Sequence, residues 1–199
     1  MPPTIRPYRP ADHDAMYDIC IRTGNHGGDA TGLYTDPRIL PDIFTGPYLA
    51  LEPQLAFVLT DSGDRAIGYV IGTADTPAFV TAYRERWLPT VADRYPEGGG
   101  NERDAQRIGE LRHPEWMWSE AVADYPAHLH IDLLPEAQGQ GAGRAMIEHF
   151  LAALRALGVR RVHLGMSSAN TGARAFYDRL GFHELSRSEF GVLMGRSTD

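Results

Sequence analysis

Cysteine is nearly absent from this sequence: Cys20 is the only one in 199 residues. No intramolecular disulfide can form, and no cysteine-based zinc site can be assembled. A reducing, cytoplasmic setting is the expected one. Long apolar runs are missing as well. No stretch approaches the ~18 residues that a membrane-spanning helix needs, and Met1-Pro2-Pro3-Thr4-Ile5-Arg6-Pro7 lacks the apolar segment of a secretion signal. Positive charge is in short supply. The formal net charge of −7 leaves no basic footprint for a phosphate backbone, which argues against nucleic-acid binding. Internal repeats and low-complexity tracts are also lacking.

What remains is the composition of a globular domain: 43% apolar, 23% charged and 10% aromatic. A chain of this length fits one large domain or one domain carrying an insertion. Ile5-Arg6-Pro7-Tyr8 reads as a short edge strand, and Asp12 as the N-cap of a helix over 13–23. Gly, Pro and Asp crowd 24–53, which predicts loops with at most a short helix. Residues 55–60 and 66–72 flank the turn-forming Asp61-Ser62-Gly63-Asp64, a hairpin signal. Residues 76–126 read as an insertion with helices over 78–94 and 102–111, broken at Gly98-Gly99-Gly100. Either a lid on the acceptor side or a packing elaboration fits that segment.

From 127 onward the pattern is cleaner. A strand at 128–134 leads through a glycine-rich loop into a helix over 142–157. There Ile147, Phe150, Leu151 and Leu154 share one face, and Gly158 suits the helix end. Val162, Leu164 and Met166 alternate with polar residues as a strand does. Asn170 caps a helix in which Ala173, Phe176, Tyr177 and Leu180 share a face, closed by Gly181. Residues 182–185 and 190–194 read as a closing strand pair. This order describes an α/β or α+β domain around a mixed sheet.

Three features carry chemistry. In the loop Gln138-Gly139-Gln140-Gly141-Ala142-Gly143, glycines allow close backbone approach, and the helix that follows offers free N–H groups to a pyrophosphate. It is neither Gly-x-Gly-x-x-Gly nor a P-loop, and taken alone a tight turn without a ligand competes with the anion-binding reading. Second, His128, His130 and Asp132 alternate along one strand and share a face. Three polar groups on a central strand are costly unless they meet water or partners. A wet cleft with a base among them and a hydrogen-bonded structural network both fit. A metal held by the three is a further geometric option. Third, Tyr177 lies on the apolar face of its helix, where the pattern alone reads as core. His163 faces solvent or the rim of a site. Trp116, Met117 and Trp118 either line a pocket or anchor the insertion. Gly165-Met166-Ser167-Ser168 lacks the closing glycine of a nucleophile elbow.

Gln138-x-x-Gly141-x-Gly143, followed by Asn170-x-x-Ala173-x-x-x-Tyr177-x-x-x-Gly181-Phe182, resembles the GNAT N-acetyltransferase superfamily. The resemblance is specific over 127–185 and looser over the hairpin at 55–74. Within that superfamily the chain looks most like the acetyltransferase-like domain of O-GlcNAcases, including the run Asp132-Leu133-Leu134-Pro135-Glu136. Animal members of that group have an eroded glycine loop; here it is intact, which implies a competent cofactor site.

The resemblance implies a single GNAT domain over 1–199, with the insertion at 76–126, helices on both faces of the sheet and a V-shaped cleft. It implies acetyl-CoA as cosubstrate and direct acetyl transfer to an amine, whether small molecule or protein. Leu133 and Leu134 would hold the pantetheine and polarise the thioester through backbone groups. Gln138, Gly139, Gln140, Gly141, Ala142, Gly143 and Arg144 would hold the pyrophosphate, with Arg174 a second phosphate partner. Ser168, Asn170 and Ala173 would contact the far side of the cofactor, and Phe176 would pack against it. Tyr177 would protonate the departing thiolate. Asp132, a neighbouring histidine or water would accept the proton of the amine. A catalytically silent acetyl-CoA-binding module is the alternative, and a metal-dependent hydrolase on the His-x-His-x-Asp strand a third reading. The resemblance carries no metal and allows a homodimer.

Overall fold

The structure is a computed structural model that describes residues 3–168, 170–189 and 191–199. In chain order the elements are β1 (Thr4–Pro7), α1 (His13–Thr23), α2 (Ile39–Phe44), α3 (Gly46–Leu51), β2 (Ala56–Thr60) and β3 (Ala66–Thr73). Next come α4 (Thr76–Ala82), α5 (Leu88–Val91), α6 (Glu102–Arg112), β4 (Ala127–Leu133) and α7 (Ala142–Ala156). The chain ends with β5 (Arg161–Met166), α8 (Thr171–Arg179), β6 (His183–Arg187) and β7 (Val192–Ser197). A π-helical turn at Tyr83–Trp87 joins α4 to α5. None of these helices is long and apolar enough to cross a membrane.

The strands form one mixed sheet in the order β1-β2-β3-β4-β5-β7-β6. Every pairing is antiparallel except β4 with β5, and that one covers only Ala127↔Val162 and His128↔His163. Beyond His128 the two central strands part, which opens the sheet at the C-terminal half of β4. Helices cover both faces. Consecutive residues of β3 point opposite ways, so Val70 enters the core under α7 while Tyr69 and Ile71 enter the core under α1 and α3. All of β3 is buried for that reason.

A third cluster, Ile39, Ile43, Val91, Tyr95, Ile108 and Leu111, joins α2 to the segment at 76–126. Its polar anchor is Asp42, fully buried. The Asp42 carboxylate accepts from Tyr17 Oη (2.8 Å) and Tyr95 Oη (2.7 Å) and pairs with Arg94 (3.2 Å).

Several boundaries differ from expectation. Asp12 stands at the N-cap position of α1, as expected, but its side chain makes no capping bond there. Its carboxylate accepts from the Arg6 guanidinium at 2.7 and 2.8 Å and from Arg9 N at 2.8 Å, because β1 brings a partner stronger than the helix end. Residues 24–53 hold two short helices rather than one at most. The closing strands run over His183–Arg187 and Val192–Ser197; the expected start of the last one, Phe190, lies outside the described residues.

Candidate active site

Where β4 and β5 diverge, a cleft of about 700 Å³ opens between β4, the loop after it, the N-terminal ends of α7 and α8, and the turn after α1. The glycine loop forms its floor. Gly139 and Gly141 adopt φ of +75° and +81°, the left-handed region that glycine enters without penalty. A side chain built at either would meet no atom within 4 Å, so the loop faces open space. Gly143 does a different job. Its missing side chain lets α7 close on Phe176, whose Cζ would stand 3.1 Å from a Cβ at that position. At the start of α7 the N–H groups of Ala142, Gly143 and Arg144 precede the first intrahelical bond, which Ala145 N makes to Gly141 O (3.1 Å).

Asp132, Leu133, Gln138, Gly139, Gly141, Gly143, Arg144, Asn170, Ala173, Phe176 and Tyr177 all line this cleft. Asn170 caps α8 by accepting from Ala173 N (3.0 Å). Gln140 and Ala142 lie in the loop without lining the cleft.

Four expectations require correction. Leu134 N donates to Ile67 O (2.9 Å), Leu134 O accepts from Ala137 N (2.8 Å), and its side chain is buried, so its N–H is not free for a ligand and the residue does not line the cleft. The antiparallel alternation that turns Leu134 toward β3 turns the N–H groups of Ile131 and Leu133 toward the gap left by β5. The Gln138 backbone N–H is taken by Pro135 O (3.2 Å), and its side-chain amide donates to Leu133 O (2.8 Å). Ser168 lines a separate cavity of about 230 Å³ with Arg174 and Arg187. Arg174 is neutralised by Asp178 (3.0 Å) and Glu184 (2.7 Å). The cationic side chains lining the cleft are instead Arg144 and Arg179.

Asp132 sits opposite Tyr69 in the β3–β4 register. Tyr69 Oη donates to Asp132 Oδ2 at 2.6 Å, and Thr23 Oγ1 lies 2.9 Å from Oδ1. Burial pushes the Asp132 carboxyl above its ordinary value, and the hydrogen bonds from Tyr69 and Thr23 pull it partly back. The Tyr177 hydroxyl makes no hydrogen bond among the described residues. Burial, then the Asp132 charge, raises its phenol well above the ordinary value, so it stays protonated and able to donate.

His128 is buried and His130 partly so. Both turn Nε2 toward Tyr48 Oη, at 2.6 and 2.9 Å. That is a polar network rather than a wet wall, and it answers the cost of placing two histidines on a central strand. No three His, Cys, Asp or Glu side chains among the described residues are grouped to hold a metal. His163 is buried too, its Nδ1 donating to Tyr125 O at 2.7 Å, rather than facing solvent or the rim. Trp116 and Trp118 are exposed, and the Trp116 ring lies edge-on to Phe44 at 5.9 Å.

Other cleft residues come from the first third of the chain: Thr23, His26 and Gly27. Asn25 and Gly28 exchange two backbone hydrogen bonds of 2.9 Å, with His26 at φ +54° and Gly27 at φ +92° between them. That is the pattern of a tight hairpin turn, and Asn-His-Gly-Gly is a composition that signals one. Gly27 packs on the Asn170 amide, 3.3 Å from where its Cβ would be. The turn therefore bridges the cleft from α1 to α8.

The family description "Acetyltransferase (GNAT) family" matches residues 102–182. A crystal structure described as SsHAT superposes with a TM-score of 0.96 at 55% identity, covering 100% of both chains. The chain belongs to the GNAT acetyltransferase family. Protein O-GlcNAcase of Rattus norvegicus is 27% identical over 202 residues, which is 98% of this chain but 22% of that protein. The chain thus spans about a fifth of the length of the O-GlcNAcases it matches. A phosphinothricin acetyltransferase from Sinorhizobium meliloti, solved in complex with AcCoA, has the same fold, with a TM-score of 0.59 at 17% identity over 99% of this chain and 89% of that one. Within this family fold, the opening between β4 and β5 and the glycine loop occupy one cleft, and Asp132 and Tyr177 share it.

Proposed function

We propose that this chain moves the acetyl group of acetyl-CoA to an amine acceptor by direct transfer. The observation that carries the reading is that Asp132 and Tyr177 line the same cleft as the open glycine loop. Acetyl-CoA supplies a thioester whose carbonyl is attacked and whose thiolate departs. The N–H groups of Gly143 and Arg144 in the first turn of α7 and the Arg144 and Arg179 side chains hold its phosphates. Leu133 N–H faces the gap between β4 and β5 and donates to the carbonyl oxygen as negative charge develops there. Asp132, its carboxyl raised by burial, attracts the ammonium and takes its proton. Tyr177 keeps its own proton until the sulfur needs it, then donates it; the acylated nitrogen sheds its second proton to solvent, from which the phenol is reprotonated.

Two measurements test this. A thermal-shift titration with acetyl-CoA should stabilise the protein; no shift at millimolar ligand would remove the reading. A thiol-release assay over simple amines, aminoglycosides and lysine peptides should then find an acceptor. Activity should be lost in Asp132→Asn and strongly reduced in Tyr177→Phe. Stoichiometric binding without thiol release over the whole panel would make the chain a silent acetyl-CoA-binding module, the alternative that the O-GlcNAcase likeness keeps in play.

A further inference from the structure

The polar network under β4 has one self-consistent arrangement of protons, and it reaches His130. Thr76 Oγ1 lies 2.7 Å from Pro126 O. A carbonyl only accepts, so the single Thr76 hydroxyl proton points there. Thr76 Oγ1 is also 2.8 Å from His128 Nδ1, and with its proton spent it must accept, which places a proton on His128 Nδ1. His128 is held neutral by burial, then by the proximity of His130 and His163, so its Nε2 carries a bare lone pair. Tyr48 Oη, 2.6 Å away, donates its one proton to that nitrogen rather than to the weaker acceptor Met117 Sδ at 3.9 Å. The contact of 2.9 Å between Tyr48 Oη and His130 Nε2 then needs its proton from His130. A four-residue chain of contacts fixes His130 as the Nε2–H tautomer, with Nδ1 bare.

That bare nitrogen has no partner among the described residues, and it is not one of the buried polar atoms left unpaired, which are Tyr83 Oη and Ser119 Oγ. His130 is accordingly partly exposed. Its ring meets Phe44 edge-on at 5.9 Å, and Phe44 in turn meets the exposed Trp116 at 5.9 Å, so a row of packed aromatic rings joins the surface to this imidazole. Along the strand, His130 is the next residue on the Asp132 face. Two strand residues span about 6.6 Å, so the His130 and Asp132 side chains are neighbours on that face.

We propose that His130 presents Nδ1 as a second hydrogen-bond acceptor to the acceptor amine, on the opposite side of its nitrogen from Asp132. This rests on the acetyl-transfer reading. Asp132 supplies the charge and takes the proton. His130, neutral and with its ring oriented by Tyr48, holds a remaining N–H so that the nitrogen lone pair turns toward the thioester. Tyr48, His128 and Thr76 are positioning residues: they touch no substrate and act by fixing which nitrogen of His130 is bare. The inference names a primary or secondary amine with at least two N–H hydrogens in its ammonium form.

Long-range 1H–15N spectra of the imidazole nitrogens read the tautomer directly. In the CoA-bound protein His130 should show a protonated Nε2 and an unprotonated Nδ1. Titration with n-butylamine should move the Nδ1 resonance while Nε2–H stays in place. A protonated Nδ1 in the free protein, or an Nδ1 resonance indifferent to n-butylamine, overturns the proposal. Kinetics with an acceptor found in the thiol-release panel give the second readout. His130→Phe should raise the KM for the acceptor roughly tenfold, the effect of one lost hydrogen bond, with the KM for acetyl-CoA unchanged. His130→Asn, whose amide oxygen accepts near the Nδ1 position, should recover part of the loss. Tyr48→Phe should populate the Nδ1–H tautomer and raise the acceptor KM with it. An unaltered acceptor KM in His130→Phe overturns this proposal while leaving acetyl transfer intact. Failure of the protein to bind CoA removes the transfer reading and this one with it, a result separate from any measured at His130.

Discussion

Tyr69 and Asp132 face each other across the β3–β4 pairing, and the phenol donates to the carboxylate at 2.6 Å. The bond steadies the ionised carboxyl against the burial that raises it. Tyr69→Phe should therefore raise the Asp132 pKa further. A hydrogen bond to a charged group is worth about 1.5–3 kcal/mol, which corresponds to roughly one to two pH units. The base must be ionised to act, so the acid limb of kcat/KM should move to higher pH by that amount. A pH profile of the variant checks it, and an unmoved limb would dissociate Asp132 from the proton transfer.

Tyr177→Phe should lower kcat by about 100-fold, the scale of one general acid, with little change in the KM for acetyl-CoA. Because burial and the Asp132 charge raise the phenol, the wild-type rate should hold into alkaline pH instead of falling near the ordinary tyrosine value. A steady-state comparison with a chemically activated thioester is diagnostic. A leaving group of lower pKa needs less protonation, so the variant's deficit should shrink there.

The glycine loop was readable in the sequence because its chemistry is local: Gly139 and Gly141 announce left-handed backbone next to a helix start. The place of Leu134 is not legible locally, because alternation decides which N–H faces the gap and that alternation is set by the register across β3. Asp12 looked like a cap until β1 brought Arg6 to it. The Asp132 environment was illegible for a different reason: Thr23, which touches it, lies 109 positions away. Nothing local to His26 or Tyr48 marks them as neighbours of β4. The turn at 25–28 and helix α3 become part of the site only when the sheet forms.

Gly141→Val should weaken acetyl-CoA binding more than it weakens the fold. At φ +81° a β-branched residue costs roughly 1–2 kcal/mol of local strain, and since no atom lies within 4 Å of the new Cβ there is no clash to add. The new side chain would stand where the loop meets its ligand. Calorimetry should show at least a tenfold loss of affinity, about 1.4 kcal/mol, beside a fall in Tm of a few degrees. Equal affinity would place the phosphates elsewhere.

Asp42→Ala should loosen the segment at 76–126 from the rest of the domain. The change orphans the Tyr17 and Tyr95 hydroxyls and the Arg94 partner. Unpaired buried hydroxyls cost about 1–3 kcal/mol each, so a loss of ~3 kcal/mol is expected. At roughly 2–4 °C per kcal/mol for a chain of this size, Tm should fall by about 6–12 °C. Hydrogen exchange should quicken first in α5 and α6, where the cluster of Val91, Ile108 and Leu111 loses its anchor.

Acid should unfold the protein through its buried histidines. Burial, followed by neighbouring imidazoles, lowers His128 well below its ordinary value and His130 to about 4; burial also lowers His163. The unfolded chain therefore binds more protons than the folded one below pH ~6.5. The sign follows: these histidines contribute fully above their unfolded pKa, and the contribution is lost as pH falls from about 6.5 toward 4. At about 1.4 kcal/mol per unit, His130 alone accounts for a loss on the order of 3 kcal/mol. Asp132 works in the opposite sense, since its raised carboxyl is easier to bury once protonated, and it softens the lower end of that window. Urea midpoints taken from pH 7.5 to 4.5 should decline steadily, and His130→Asn should flatten part of the slope. A wild-type midpoint independent of pH over that range would mean that the Tyr48 network tolerates charged imidazoles, and with them a protonated Nδ1.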